Sequence, residues 1–214
     1  MFNLKKTLAS RLNPTHFGDS HFRRRLAYTD ALPQISCLGF VSGVAAALMI
    51  VAFRSLFEIP LEHWLPGGTA ESFENLDPIW YFLLPVIGGL LIGLWLMLFA
   101  PDERKAGVAH VMARMAYHQG KMPFKNTLVQ FVGGSIGILT GQSAGREGPA
   151  VHLGAAVSSQ IGSFFHLPHN SVRLMVGCGT AGAIAASFNT PMAGVIFAME
   201  VVMLEYSIMG FTPV

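Results

Sequence analysis

Gly145-Arg146-Glu147-Gly148-Pro149, continuing as Ala-Val-His-Leu-Gly-Ala-Ala to residue 156, sets an arginine and a glutamate side by side among apolar and small residues. From Asn126 to Phe165 these two are the only Asp, Glu, Lys or Arg side chains. Ionisable groups deep in such a tract are rare and mark ion or proton pathways. Pro149 suits the first helical position, where its missing N–H is not needed, so a helix is expected to begin at this motif. The backbone N–H groups around Arg146 to Gly148, with the helix dipole behind them, then form an anion-binding end that needs no fixed cation. The Glu147 carboxylate competes for that same place. Protonation would release the place to a permeating anion, which makes Glu147 a candidate gate and proton carrier. The competing reading is an interfacial loop with a solvated Arg–Glu pair; the apolar runs on both sides weigh against it.

Outward from the motif, the composition agrees. The 214 residues are 52% hydrophobic and 12% charged, about half the charged share of a soluble domain. Leu32 to Phe53 and Trp80 to Ala100 are uncharged runs of 22 and 21 residues, each long enough as a helix to cross a ~30 Å hydrocarbon core. The arm before the first run carries Lys5, Lys6, Arg11, Arg23, Arg24 and Arg25, whereas Glu58 to Ile79 carries five carboxylates and no Lys or Arg. The positive-inside rule therefore expects a cytoplasmic N-terminus, and the basic residues returning after Pro101 agree. No cleaved signal is expected, because the arm is too long and polar for a secretory n-region. The expected organisation is a cytoplasmic, basic amphipathic arm over residues 1–30 and one membrane domain over 31–214. Charge is not spread as a basic face, so no nucleic-acid partner is expected.

Beyond Asn126 the apolar runs are cut by Gly, Pro and Asn, most sharply at Phe188-Asn189-Thr190-Pro191 inside Leu174 to Met199. Interrupted helices survive in a membrane only where the freed backbone is buried in protein or lines a cavity, and they point to transport sites. The bland alternative is close helix packing, which the GxxxG spacings at Gly133/Gly137, Gly137/Gly141 and Gly141/Gly145 would also serve. Gly141-Gln142-Ser143-Ala144-Gly145 fits the nucleophile elbow of hydrolases, but no strand precedes it and His152 follows too closely to act as base. Gly177-Cys178-Gly179-Thr180-Ala181-Gly182 has the form of a dinucleotide loop outside any βαβ unit, and reads better as helix packing. The histidines, His110 and His152 among them, show no ligand spacing, so no metal or other cofactor is expected. Cys37 and Cys178 read as small, buried, reduced hydrophobes.

GREGPAVHLGAA (145–156) and GTAGAIAASFNTPMAGVIFAMEVV (179–202) together resemble the CLC family of chloride channels and chloride/proton antiporters. The resemblance implies an all-α, polytopic membrane fold with tilted and discontinuous helices, this chain matching the first of two inverted-repeat halves. It implies chloride or a similar small anion as substrate, a homodimer with one pathway per protomer, and a bacterial inner membrane. It assigns the external gating glutamate to Glu147 and an anion site to the backbone of Arg146, Gly148 and Pro149, with Ala106 and Gly107 at the central position. Ala106 stands where the family commonly has a serine, so coordination there relies on backbone or water. The internal proton relay of coupled members falls on Val201, which holds no proton; Glu200 beside it either contributes to a proton path or satisfies an internal hydrogen bond. A full member would continue past Tyr206 to Val214 into a second half. Two readings of function follow: half of a glutamate-gated anion channel or antiporter, or a non-conducting half-protein or scaffold that needs a second half.

Overall fold

The apolar run that opens at Leu32 does not stop as a helix where its charges begin. In the computed structural model, which describes residues 32–65, 73 and 76–203, helix α1 spans Leu32–Trp64, not Leu32 to Phe53. Arg54 and Glu58 lie one turn apart and pair at 2.9 Å, Nε to Oε1, so the helix carries its own counter-charges past the apolar boundary. Its 33 residues would span about 50 Å, more than a bilayer core, and require tilt. Glu58 and Glu62 thus belong to α1 and not to a loop. The basic arm, Glu71, Glu74 and Tyr206 lie outside the described residues.

Helix α2, Pro78–Met97, starts with Asp77 before it and Pro78 in its first turn, two residues ahead of the expected Trp80. Short α3 (Gly107–Tyr117), α4 (Phe124–Leu139), α5 (Glu147–Phe164) and α6 (His169–Phe188) follow, then α7 (Pro191–Phe197) and a π-helical segment, Ala198–Met203. Among the described residues there is no strand. Among the described residues three helices, α1, α2 and α6, are long and apolar enough to cross a membrane. The break at Asn189 is where the sequence puts it: Asn189 closes α6 with φ 55°, and Pro191 opens α7. Arg54 Nη1 donates to the carbonyls of Ala186 and Ser187 at 3.0 and 3.4 Å, satisfying acceptors that the end of α6 leaves without helical partners.

The α5/α6 pair is the centre of the molecule, with α1 packed across both. One buried cluster joins Val111 and Met115 of α3 to Val151 and Ala155 of α5, Met175 and Val176 of α6 and Val202 of the π-helical segment. The other joins Ile50, Phe53 and Phe57 of α1 to Leu153 of α5 and Ala183 of α6. Close approach depends on Gly182, where a Cβ would come 2.7 Å from the Gly43 carbonyl oxygen. The G-x-G-x-x-G segment is therefore helix packing. Of the GxxxG series only Gly137 meets a neighbouring helix, its Cβ position lying 3.7 Å from Ile92 Cδ1 of α2; a Cβ at Gly133 or Gly145 would meet nothing within 4 Å, and Gly141 sits in a turn at φ 67°. Cys37 also departs from expectation, being exposed on α1, while Cys178 is buried; neither forms a disulfide among the described residues.

Candidate functional site

Helix α5 begins at Glu147, not at Pro149, with Arg146 as its N-terminal cap at φ −72°, ψ −15°. Pro149 is tolerated at the third helical position because that N–H still belongs to the first turn and has no helical acceptor. The first ladder bond runs from the Ala150 N–H to the Arg146 carbonyl at 3.1 Å. The amides of Glu147 and Gly148 are thereby left outside the ladder, and the Glu147 side chain is exposed at the helix start. No strand precedes Ser143, so the hydrolase elbow is absent.

Helix α3 starts in a matching way. Ala106 caps it in extended conformation (φ −148°, ψ 176°) with no side-chain hydrogen bond to the first turn. Gly107 follows at φ 78°, a left-handed conformation that favours glycine. The two helix starts meet: a Cβ at Gly148 would lie 4.0 Å from the Gly107 Cα. Ala106, Gly107, Arg146, Glu147, Gly148 and Pro149 are thus brought to one junction from segments about 40 residues apart in the chain. Two free helix N-termini at one point add their amides and dipoles, and such a point attracts anions.

The Arg146 guanidinium is turned to α1. Its Nη1 lies 3.5 Å from Glu58 Oε1, and its Cζ lies 5.7 Å from the centroid of the Phe57 ring. Glu58 therefore holds Arg54 and Arg146 together and ties the cap of α5 to α1 and, through Arg54, to the end of α6. Glu200 is not part of the junction: it is exposed on the π-helical segment, which packs on α6, α7 and α3, and no hydrogen bond or ion pair joins it to Glu147 among the described residues.

Beside the junction, the His110 and His152 rings stack, which the scattered histidines of the sequence did not show. The available signal was positional: each follows a helix-start glycine by about one turn, His110 after Gly107 and His152 after Gly148. No group of three metal-ligating side chains occurs among the described residues. A cavity of about 480 Å³ opens next to His110, walled by Lys105, Arg114, His118, Lys125 and Asn126. At its rim a hydrogen bond from Lys105, with its charge, holds the Asp102 carboxyl below the usual carboxylate range. Lys125, aided by the Ala100 N–H, does the same for Glu103.

Fold and junction define a helical membrane protein whose interrupted helices turn two N-termini toward one point. The chain belongs to the voltage-gated chloride channel family, the CLC proteins, whose model matches residues 88–214. A ClcB-like protein of Ralstonia nicotianae is 36% identical over 168 residues, covering 75% of this chain and 39% of that protein. The voltage-gated ClC-type chloride channel ClcB of Escherichia coli is 29% identical over 182 residues, 81% of this chain and 42% of its own. The H(+)/Cl(-) exchange transporter ClcA of Vibrio vulnificus is 28% identical over 166 residues, 76% of this chain and 34% of its own. The crystal structure of a CLC-type fluoride/proton antiporter matches with a TM-score of 0.65 at 24% identity, over 87% of this chain and 45% of that one. That likeness shows the fold. The chain spans less than half the length of each of these relatives.

Proposed function

We propose that this chain forms one half of a CLC-type pathway for chloride or a similar small anion, with Glu147 as its gate. The observation that carries the reading is the meeting of the α3 and α5 N-termini at Gly107 and Gly148 with Glu147 on the first helical position. An anion there is held by the backbone of Ala106, Gly107, Arg146 and Gly148, with Pro149 shaping the turn. When ionised, Glu147 occupies the same field; when protonated, it leaves. Exchange and channel activities both occur among the relatives by name, and Val201 at the relay position favours weak proton coupling, with Glu200 as a secondary carrier.

The pathway needs a second half, supplied by another polypeptide segment or by a second copy in a homo-oligomer. The exposed apolar face of α2, with Ile79, Phe82, Leu90, Leu94 and Met97, supports lipid or such a partner as its cover. The basic arm of residues 1–30 favours a cytoplasmic N-terminus for the membrane domain 31–214. A non-conducting scaffold that needs a second half is the second reading. Chloride efflux from liposomes carrying the purified chain decides between them: efflux above that of protein-free liposomes supports the pathway, and efflux equal to it supports the scaffold.

A further inference from the structure

His110 and His152 come from the two helices whose starts meet at Gly107 and Gly148. Their rings lie 5.4 Å apart, centroid to centroid, and 15° from parallel. His152 is fully buried, and neither of its ring nitrogens has a hydrogen-bond partner among the described residues; the Gly107 backbone lies beside the ring without meeting hydrogen-bond geometry. His110 Nε2 is buried and unpartnered too, while His110 lines the cavity of about 480 Å³. A buried polar nitrogen without a partner is costly, and an apolar side chain would fill the same space without that cost. His152 lies five residues after Glu147 on one helix, about 7.5 Å along its axis, directly behind the anion-attracting junction.

A neutral imidazole offers one donor and one acceptor, whereas a protonated one offers two donors and a positive charge. Two stacked imidazoles at this distance hold one such charge far more readily than two. Around His110 burial, then the charges of Arg114 and Lys105 and the nearby His118 ring, oppose a proton, while Asp102 and Glu103 across the cavity, already engaged with Lys105 and Lys125, offset them only in part. Glu200 on the π-helical segment packed against α3 is exposed; Arg146 and Glu147 sit at the start of α5, and Arg54 and Glu58 face that start from α1. An anion arriving at the junction supplies the missing negative charge, and by linkage a proton on the pair strengthens the anion's hold in return.

We propose that the stacked His110–His152 pair is a proton-binding site, loaded from the cavity walled by Lys105, Arg114 and Lys125, whose occupancy is linked to that of the anion at the α3/α5 junction. This rests on the reading of that junction as an anion site. One proton comes from solvent in the cavity and returns there when the anion leaves; the site senses pH and does not by itself carry protons across the membrane.

The test is chloride titration of the full chain in detergent by calorimetry, near pH 6 where imidazoles titrate, in two buffers of different ionisation enthalpy. The difference gives protons taken up per chloride bound. Uptake of a measurable fraction of one proton in wild type is expected, and less in His152→Gln and in His110→Asn, where only the Glu147 contribution remains. Chloride binding without uptake in wild type, or with equal uptake in the histidine variants, overturns the proposal and leaves the anion site standing. No chloride binding in either buffer overturns the anion reading itself. The pair is then read from the ring 15N shifts of His152: a titration that changes in His110→Asn supports the shared proton, and an unchanged one refutes it. Should His152→Gln fail to fold, His110→Asn at the cavity wall carries the comparison.

Discussion

At Ala106 a helix that faces the proposed anion begins without a side-chain oxygen, in a backbone conformation that an N-capping residue adopts. Ala106→Ser adds the missing acceptor for the first-turn amides, and such caps contribute about 0.5–2 kcal/mol. The expected outcome is a higher melting temperature together with altered chloride affinity; an unchanged melt would show that the Ala106 backbone does not cap as its geometry indicates. Glu58 works from the other side of the junction. Glu58→Gln leaves Arg54 and Arg146, each about a quarter exposed, without their shared carboxylate, and the loss should be roughly 1–3 kcal/mol in chemical denaturation. Glu147 was legible in the sequence because a carboxylate in an apolar tract of about 40 residues has few structural reasons to be there. Glu58 was not, since its partner Arg146 lies far away in the chain, and the His110–His152 stack was hidden for the same reason. Cys37 was misread because an apolar neighbourhood in a membrane helix does not distinguish the lipid face from the core.

The helices were legible where one local feature governs their ends. Pro191 and the left-handed Asn189 mark the break between α6 and α7 from the sequence onward. The ends governed by partners shifted: α1 runs on through Arg54 and Glu58, which a count of uncharged residues cannot foresee, and α5 starts two residues before Pro149. Glycine spacing also misled, because GxxxG identifies a smooth helix face but not what lies against it. The contrast is measurable. Gly133→Ala, with nothing within 4 Å of the new methyl, should stabilise α4 by up to ~1 kcal/mol through helix propensity. Gly182→Ala drives a methyl toward the Gly43 carbonyl and should cost about 1–3 kcal/mol. Equal effects of the two substitutions on thermal stability would contradict the packing described. Between α2 and α3, the depressed carboxyls of Asp102 and Glu103 contribute stability that is present above the ordinary carboxylate range and lost as pH falls through their lowered folded values. Asp102 is exposed and Glu103 only half-buried, so the loss should be small and should fade in high salt.

For the whole molecule, the exposed rings and aliphatic side chains of α2 suit either lipid or the face of a partner, and the proposed pathway needs helix ends from a second half. Crosslinking in native membranes, with mass measurement in detergent, should find an assembly larger than one copy; a conducting monomer would refute that expectation. The central claim is narrower: Glu147 controls anion passage at the place where the α3 and α5 N-termini meet. It is tested most directly by chloride flux as a function of pH in proteoliposomes containing wild type or Glu147→Gln, the latter imitating the protonated gate. Wild-type flux should rise as pH falls and Glu147 becomes protonated, while Glu147→Gln should conduct at every pH with that main rise removed and only the weaker histidine-linked slope left. Identical pH profiles in two active samples would remove Glu147 from the gate and contradict the account.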